Sequence, residues 1–253
     1  MNPFIQARAI VISHPNSGRN WVEDIIGEYR RTVLSLPAIE FTHDIMEPPF
    51  DDILPWQDMV EVSTNPIRKL GKALAYEGKP IVVLSRDPRD VIVSYFYQKT
   101  VREPWLHKLG IINRLPNFTG NIDEFIEHDI YGIKHLILFM NLMAHWIKKG
   151  AYDLRYEAMH EDIELEMVNV LNHIGVERVD RKKLNKAIAK CTFERVRKAE
   201  ENEIGKKPPE GARKYRSGKV GTYKDELSSD MIRMINAYIA LSLSSVYGEY
   251  RNG

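Results

Sequence analysis

An arginine followed eight residues later by a serine, Arg86 and Ser94, is the pair in this chain best suited to hold a phosphate. The run Pro80 to Ser85 ahead of it is apolar and β-branched, as a buried parallel strand should be. Arg86 stands where that strand ends, and Asp87 as N-cap with Pro88 behind it predicts a helix opening there. Ser94 falls about two turns into that helix. Ligands of open α/β sheets collect at the carboxyl ends of strands, so a guanidinium and a hydroxyl placed this way can share one phosphate. The competing local reading pairs Arg86 with the carboxylates of Asp87 and Asp90.

A second strand-to-helix junction lies near the N-terminus. Ala9-Ile10-Val11-Ile12-Ser13 reads as an apolar strand, His14 to Trp21 as a tight turn, and Val22 to Arg31 as an amphipathic helix. Gly18 permits backbone conformations closed to other residues, and the free N–H groups of the new helix point at whatever lies in the turn. Such a turn is an anion cradle. It lacks both the spacing between glycines and the Gly-Lys-Ser/Thr ending of the nucleotide-binding P-loop, which argues against an ordinary ATPase or GTPase. His43 follows the short strand Ile39-Glu40-Phe41-Thr42 and so reaches the same sheet edge. An imidazole there can take a proton from an attacking hydroxyl, or it can merely cap a strand. His14 precedes the cradle, and the other six histidines fall in helices or loops away from the strand ends.

In these features the chain resembles the sulfotransferases that use 3′-phosphoadenosine-5′-phosphosulfate (PAPS). Their cradle reads Pro-Lys-Ser-Gly-Thr-Thr-Trp, and Pro15, Ser17, Gly18 and Trp21 match it, with Asn16, Arg19 and Asn20 at the remaining places. Their 3′-phosphate arginine and serine correspond to Arg86 and Ser94, with Asp90-Val91 between and Tyr95 after. A loop that closes over the same phosphate, Arg-Lys-Gly-x-x-Gly-Asp-Trp-Lys, is followed at Arg216, Gly218, Gly221 and Lys224, with Ser217 at the lysine place. Arg155-Tyr156-Glu157 resembles a strand end whose tyrosine touches adenine, and Cys191-Thr192-Phe193 a segment whose phenylalanine lies beside adenine. The family's base ends a Lys-x-His strand, to which Phe41-Thr42-His43 corresponds.

The resemblance implies transfer of a sulfuryl group from PAPS to an acceptor hydroxyl or amine, with 3′-phosphoadenosine-5′-phosphate (PAP) as product and no metal. Two departures bear on competence. Asn16 replaces the cradle lysine and carries neither charge nor a transferable proton; Arg19 supplies a cation three residues on, or pairs with Glu23 one turn along. Ser217 replaces a 3′-phosphate lysine. A PAP- or PAPS-binding protein with little turnover is therefore the alternative. A nucleotide- or shikimate-type kinase is less well served, for want of a phosphate-loop lysine and metal carboxylates.

These residues need strands that end together. Strands near 9–13, 39–42, 80–85 and 151–155 alternate with helices, which predicts an α/β fold: a central parallel β-sheet flanked by helices on both faces. The resemblance adds the sulfotransferase version of the kinase-like fold, as one domain over residues 1–253. Helices are expected from Pro66 to about Tyr76, over a long stretch from Ile122 to Lys149, near Asp162–Gly175 and Asp180–Lys190, and from about Ser229 to Tyr247. Glu47 to Asp58 reads as loop, as does Lys206 to Lys224; residues 101 to 121 read as an ordinary connection or as a lid over the acceptor. Tyr95, Phe96, Tyr97, Trp105 and Tyr131 are better taken as core than as an acceptor pocket.

With 36 Lys and Arg against 35 Asp and Glu, no global field recruits nucleic acid or a membrane surface. The single cysteine excludes an internal disulfide and fits a reducing compartment. No apolar run approaches the about 20 residues of a membrane span, and the N-terminus enters the first strand without a signal peptide. The expectation is a soluble cytoplasmic enzyme acting on a small-molecule or carbohydrate acceptor. Homo-oligomerisation is left open.

Overall fold

The computed structural model describes residues 8–43, 76, 78–110 and 118–251. Along the chain run β1 (Ala9–Ser13), α1 (Arg19–Arg30), β2 (Ile39–Thr42) and β3 (Ile81–Ser85). Next come α2 (Pro88–Tyr97), a π-helical turn (Gln98–Arg102), α3 (Glu103–Lys108), α4 (Ile122–Glu127) and α5 (Ile133–Lys148). After β4 (Tyr152–Arg155) follow α6 (Tyr156–Glu161), α7 (Ile163–His173), α8 (Arg181–Lys190) and α9 (Phe193–Ile204). The chain closes with α10 (Tyr223–Glu226), α11 (Ser229–Ser242) and α12 (Gly248–Arg251). Internal contacts divide it into two compact units, Met1–Arg86 with Phe139–Ile188, and Asp87–Leu138 with Ala189–Gly253.

The first unit carries the sheet, in the order β2-β1-β3-β4, every neighbour parallel. All five residues of β1 and all five of β3 are buried. Successive side chains point to opposite faces, so both faces of these two strands are covered, which is why their sequences run apolar without alternation. β2 and β4 are the edges and are only partly buried. α1 buries Val22, Ile25, Ile26 and Tyr29, one stripe at helical spacing. Each such side chain contributes about 1.5–3 kcal/mol on burial. The chain leaves β1 for β2 on one side and reaches β3 on the other, so the point where strand order reverses lies between β1 and β3. His173 Nε2 donates to the Ile81 carbonyl at 2.9 Å and ties α7 to the start of β3.

In the second unit, Asp87 caps α2 by accepting from Arg89 N at 2.9 Å, with Pro88 in the first turn, as its sequence predicts. Beyond α2 the structure departs from expectation. Residues 101–108 of the expected 101–121 connection are helical, and Leu106 is buried. Lys99, fully buried, donates to Glu103 Oε2 at 2.8 Å, an ion pair one turn apart that draws this segment into a helix.

The long helical stretch expected over 122–149 is two helices, and the break has a physical cause. His128 Nδ1 accepts from Ile130 N and Tyr131 N, offering the backbone a turn instead of another helical step. Gly132 sits where a Cβ would fall 2.3 Å from the Ile126 and His128 carbonyl oxygens. Of the five aromatics expected in the core, Tyr95 and Tyr131 are buried, with Tyr131 stacked on buried Phe125 at 5.7 Å between centroids, while Phe96, Tyr97 and Trp105 are only half-buried. The region between Phe193 and Lys224, expected as loop in its second half, holds α9 and the short α10, and α11 ends at Ser242. The expected loop at 47–58, most of the helix expected at 66–76 and residues 111–117 of the 101–121 connection lie outside the described residues. Among the described residues no helix is long and apolar enough to cross a membrane.

Candidate active site

At the carboxyl end of β1 the chain turns through His14 to Gly18 into α1. Asn16 and Gly18 both adopt left-handed backbone, with φ of 68° and 100°. Asparagine tolerates this region better than most residues, and glycine enters it freely. Gly18 is needed for a second reason: a Cβ there would lie 2.5 Å from Tyr156 Cδ2. Gly18 is the N-cap of α1 without a side-chain cap, and the first turn holds no acidic residue. The positive end of the helix dipole therefore faces the turn unshielded by a carboxylate of its own.

The end of β3 delivers Arg86 to the same turn. Its Nη1 donates to the Asn16 carbonyl at 3.2 Å, and its guanidinium lies over the Tyr156 ring, 4.3 Å from the centroid. Tyr156, directly after β4, thus packs against both Gly18 and Arg86. Trp21 meets Tyr156 edge-on at 6.1 Å and tilts toward His160 at 5.3 Å. Ser17 is buried and Asn20 half-buried. His14 is buried too; its Nδ1 donates to the Pro15 carbonyl at 2.8 Å and its ring meets Phe139 edge-on.

His43, directly after β2, is held by β1. Nδ1 lies 2.9 Å from the Ser13 carbonyl and 3.4 Å from Ser13 Oγ. A carbonyl can only accept, so Nδ1 carries the proton and Nε2 keeps its lone pair. Burial, reinforced by the Arg19 charge and opposed by the Ser13 hydrogen bond, pushes the imidazole down to about 3, so it is neutral at physiological pH. Arg19 donates from Nη1 to the Phe41 carbonyl at 3.3 Å, which places its guanidinium at the end of β2. Its Nε is buried and has no hydrogen-bond partner among the described residues. Burial lowers its pKa, while Glu23 and Glu40 act in the opposite direction.

The remaining sequence-predicted residues belong to the second unit. Ser94 is half-buried on α2. The loop ahead of α10 is fixed by Asp90, fully buried on α2, whose carboxylate accepts from Gly221 N at 2.7 Å, Tyr223 N at 3.0 Å and Thr222 Oγ1 at 3.1 Å. Asp87 accepts from Arg89 Nε, and Arg89 reaches on to Asn236 Oδ1 and the Tyr250 carbonyl. The two local carboxylates are thereby given structural roles of their own. Gly218, at φ 61°, leaves no room for a Cβ, which would fall 2.3 Å from Phe193 Cδ2; this loop and the start of α9 pack as one surface, with Ser217 half-buried beside them. Arg216 donates from Nη1 to Glu226 Oε1 at 2.6 Å and lies over the Tyr97 ring.

The first unit therefore gathers Asn16, Ser17, Gly18, Arg19, Asn20, Trp21, His43, Arg86 and Tyr156 at one edge of its sheet. The second gathers Phe193, Arg216, Ser217 and Gly218. Ser13, His160 and Glu226 take part in this geometry without having been given a role by sequence reasoning, which named Asp90 only as a local carboxylate and Tyr97 only as a core aromatic. Only Asp90 had a local signal, its place behind the capping Asp87; the others are recruited by contacts across the fold.

A model of the sulfotransferase domain family matches residues 6–247. An amine sulfotransferase of Oryctolagus cuniculus is 23% identical over 243 residues, covering 86% of this chain and 74% of the relative. A crystal structure of a mouse sulfotransferase complexed with PAP superposes with a TM-score of 0.62 at 16% identity, over 98% of this chain and 89% of the other. Retinol dehydratase in complex with androsterone and PAP superposes with a TM-score of 0.59 at 18% identity, over 94% and 80%.

Proposed function

Because the chain belongs to the sulfotransferase domain family, we propose that it transfers a sulfuryl group from PAPS to an acceptor hydroxyl or amine, with His43 as general base. The observation that carries this reading is the fixed tautomer of His43, whose Nδ1–H is held by the Ser13 carbonyl at the carboxyl edge of the sheet. The PAPS donor supplies an activated sulfuryl group on a phosphate leaving group of low basicity. Buried donors that lack partners among the described residues, Nε of Arg19 in the first unit and Nε and Nη2 of Arg216 in the second, fit an anionic ligand, as does the uncapped start of α1.

His43 Nε2 takes the acceptor proton as the acceptor oxygen or nitrogen bonds to sulfur and the bond from sulfur to the bridging phosphate oxygen breaks. PAP leaves with the electron pair of that bond. Arg19, at the end of β2, stabilises charge on the transferring group and stands in for the lysine that Asn16 replaces. The Asn16 carbonyl orients Arg86, and Arg86 and Ser94 are assigned to the 3′-phosphate by their places in the motif. Ser17, Gly18 and Asn20 are assigned to the 5′-phosphosulfate. Trp21 belongs to the same turn, Tyr156 and Phe193 are assigned to the adenine, and Arg216, Ser217 and Gly218 to the 3′-phosphate loop. The reading takes all 253 residues as one catalytic domain in the cytoplasm, with a small molecule or carbohydrate as acceptor. The amine in the rabbit-genus relative's name and the androsterone bound to retinol dehydratase support a small acceptor.

A panel of hydroxyl and amine acceptors with sulfur-labelled PAPS tests the activity. His43→Asn should cut turnover by roughly 10²–10⁴ with PAP affinity nearly unchanged. Arg86→Ala should remove most of the preference for PAP over adenosine 5′-phosphate, a loss on the order of 2–4 kcal/mol. Equal affinity of the unmodified protein for the two nucleotides would refute the donor assignment.

A further inference from the structure

Arg216 has more donors than the second unit gives it acceptors. Nη1 is engaged by Glu226 Oε1 at 2.6 Å, and the guanidinium rests on the Tyr97 ring, 4.6 Å from its centroid. Tyr97 Oη in turn donates to Glu226 Oε2 at 2.8 Å, so one carboxylate is held from both ends. Nε and Nη2 of Arg216 are buried and have no hydrogen-bond partner among the described residues.

The identity of the two nitrogens matters. In a guanidinium, Nη1 lies on the side of Cδ, while Nε–H and Nη2–H point the same way and form the side-on fork that matches two oxygens of a phosphate. Glu226 thus occupies the one nitrogen that leaves this fork whole. Had it taken the fork itself, in side-on bidentate pairing, only the end-on edge of Nη1 and the second Nη2–H would remain for a ligand. The backing is stiff as well, since Asp90 fixes Gly221, Thr222 and Tyr223 immediately ahead of Glu226.

We infer that Glu226, braced by Tyr97, is a positioning residue that presets the Nε–Nη2 fork of Arg216 for a phosphate monoester, the 3′-phosphate of the donor nucleotide. The inference rests on the reading of Arg216 as a 3′-phosphate ligand. Glu226 acts in two opposed ways: its charge repels the incoming dianion, and its grip spares Arg216 the entropy of being ordered at the moment of binding. The conservative amide separates these effects, because glutamine keeps an oxygen for Nη1 and drops the charge.

Calorimetry with PAP and with adenosine 5′-phosphate reads the effect as a ratio of affinities, since only PAP carries the 3′-phosphate. Arg216→Ala should lower that ratio by roughly 30-fold or more, and Glu226→Ala by about 10-fold, as loss of charge-assisted or preorganised contacts implies. Glu226→Gln should hold the ratio within about 3-fold of the unmodified protein or raise it, because the preset fork survives without the repulsion. A purely structural role would shift both nucleotides alike and leave the ratio unmoved. An unchanged ratio in Glu226→Ala, with the ratio lost in Arg216→Ala, overturns the inference and spares the reading beneath it. An unchanged ratio in Arg216→Ala overturns that reading itself. Should Glu226→Ala not fold, Tyr97→Phe decides: a ratio lowered by about 3-fold or more supports the brace, and an unchanged one refutes it.

Discussion

Acid should destabilise this protein through His43 in a way that one substitution can isolate. The imidazole titrates at about 3 in the folded chain against 6.5 for an ordinary histidine, chiefly because burial disfavours its cation and secondarily because Arg19 is near. Between these values the unfolded chain binds a proton that the folded chain refuses, so stability rises with pH across the window. The contribution of neutral His43 is fully present above pH 6.5 and is lost as pH falls toward 3. At pH 5 the unfolded state gains a proton-binding advantage of about 30-fold, or about 2 kcal/mol, and the limit near pH 3 is about 5 kcal/mol. Asparagine is the informative replacement, since its side-chain amide can still donate to the Ser13 carbonyl but does not titrate. Urea unfolding at pH 7 and pH 5 should show the unmodified protein losing about 2 kcal/mol more than His43→Asn between the two conditions. Equal losses in the two proteins would refute the argument that burial holds His43 neutral.

The cation beside the cradle is open to a paired test: at saturating donor, Arg19→Ala should lower turnover by at least roughly 10²-fold. Asn16→Lys should bring no gain, because lysine pays about 1–2 kcal/mol for the left-handed backbone at this position. A silent Arg19→Ala with a strongly activated Asn16→Lys would favour a nucleotide-binding protein with little turnover. Gly18→Ala should cost about 1–2 kcal/mol from its backbone angle alone. It should also weaken PAP binding by displacing the Tyr156 ring that supports Arg86; thermal melting and calorimetry check both, and a variant of unchanged stability and affinity would show that the turn yields freely.

The elements that hold the site are legible where their cause is local. β1 and β3 are continuous apolar runs because both their faces are covered, and burial on two sides leaves no polar alternation to misread. The start of α2 is written in Asp87 and Pro88, and the turn after β1 in Gly18, whose conformation few other residues adopt. The two-part helix over 122–149 was not legible as such, because apolar spacing continues through the break while a histidine nitrogen and a missing Cβ end the first helix. What only the tertiary structure decided is the set of partners. Ser13 fixes the tautomer of His43 from thirty residues away, and it does so with a carbonyl that every residue possesses and no sequence pattern marks. The Asn16 carbonyl meets Arg86 only because β3 lies beside β1, and strand order is a property of the sheet and not of either strand. Glu226 engages one nitrogen of Arg216 rather than its fork because Tyr97 and the loop anchored on Asp90 hold it there. Residue type thus selects the chemistry available at each position, while orientation, tautomer and donor edge depend on atoms brought close by folding.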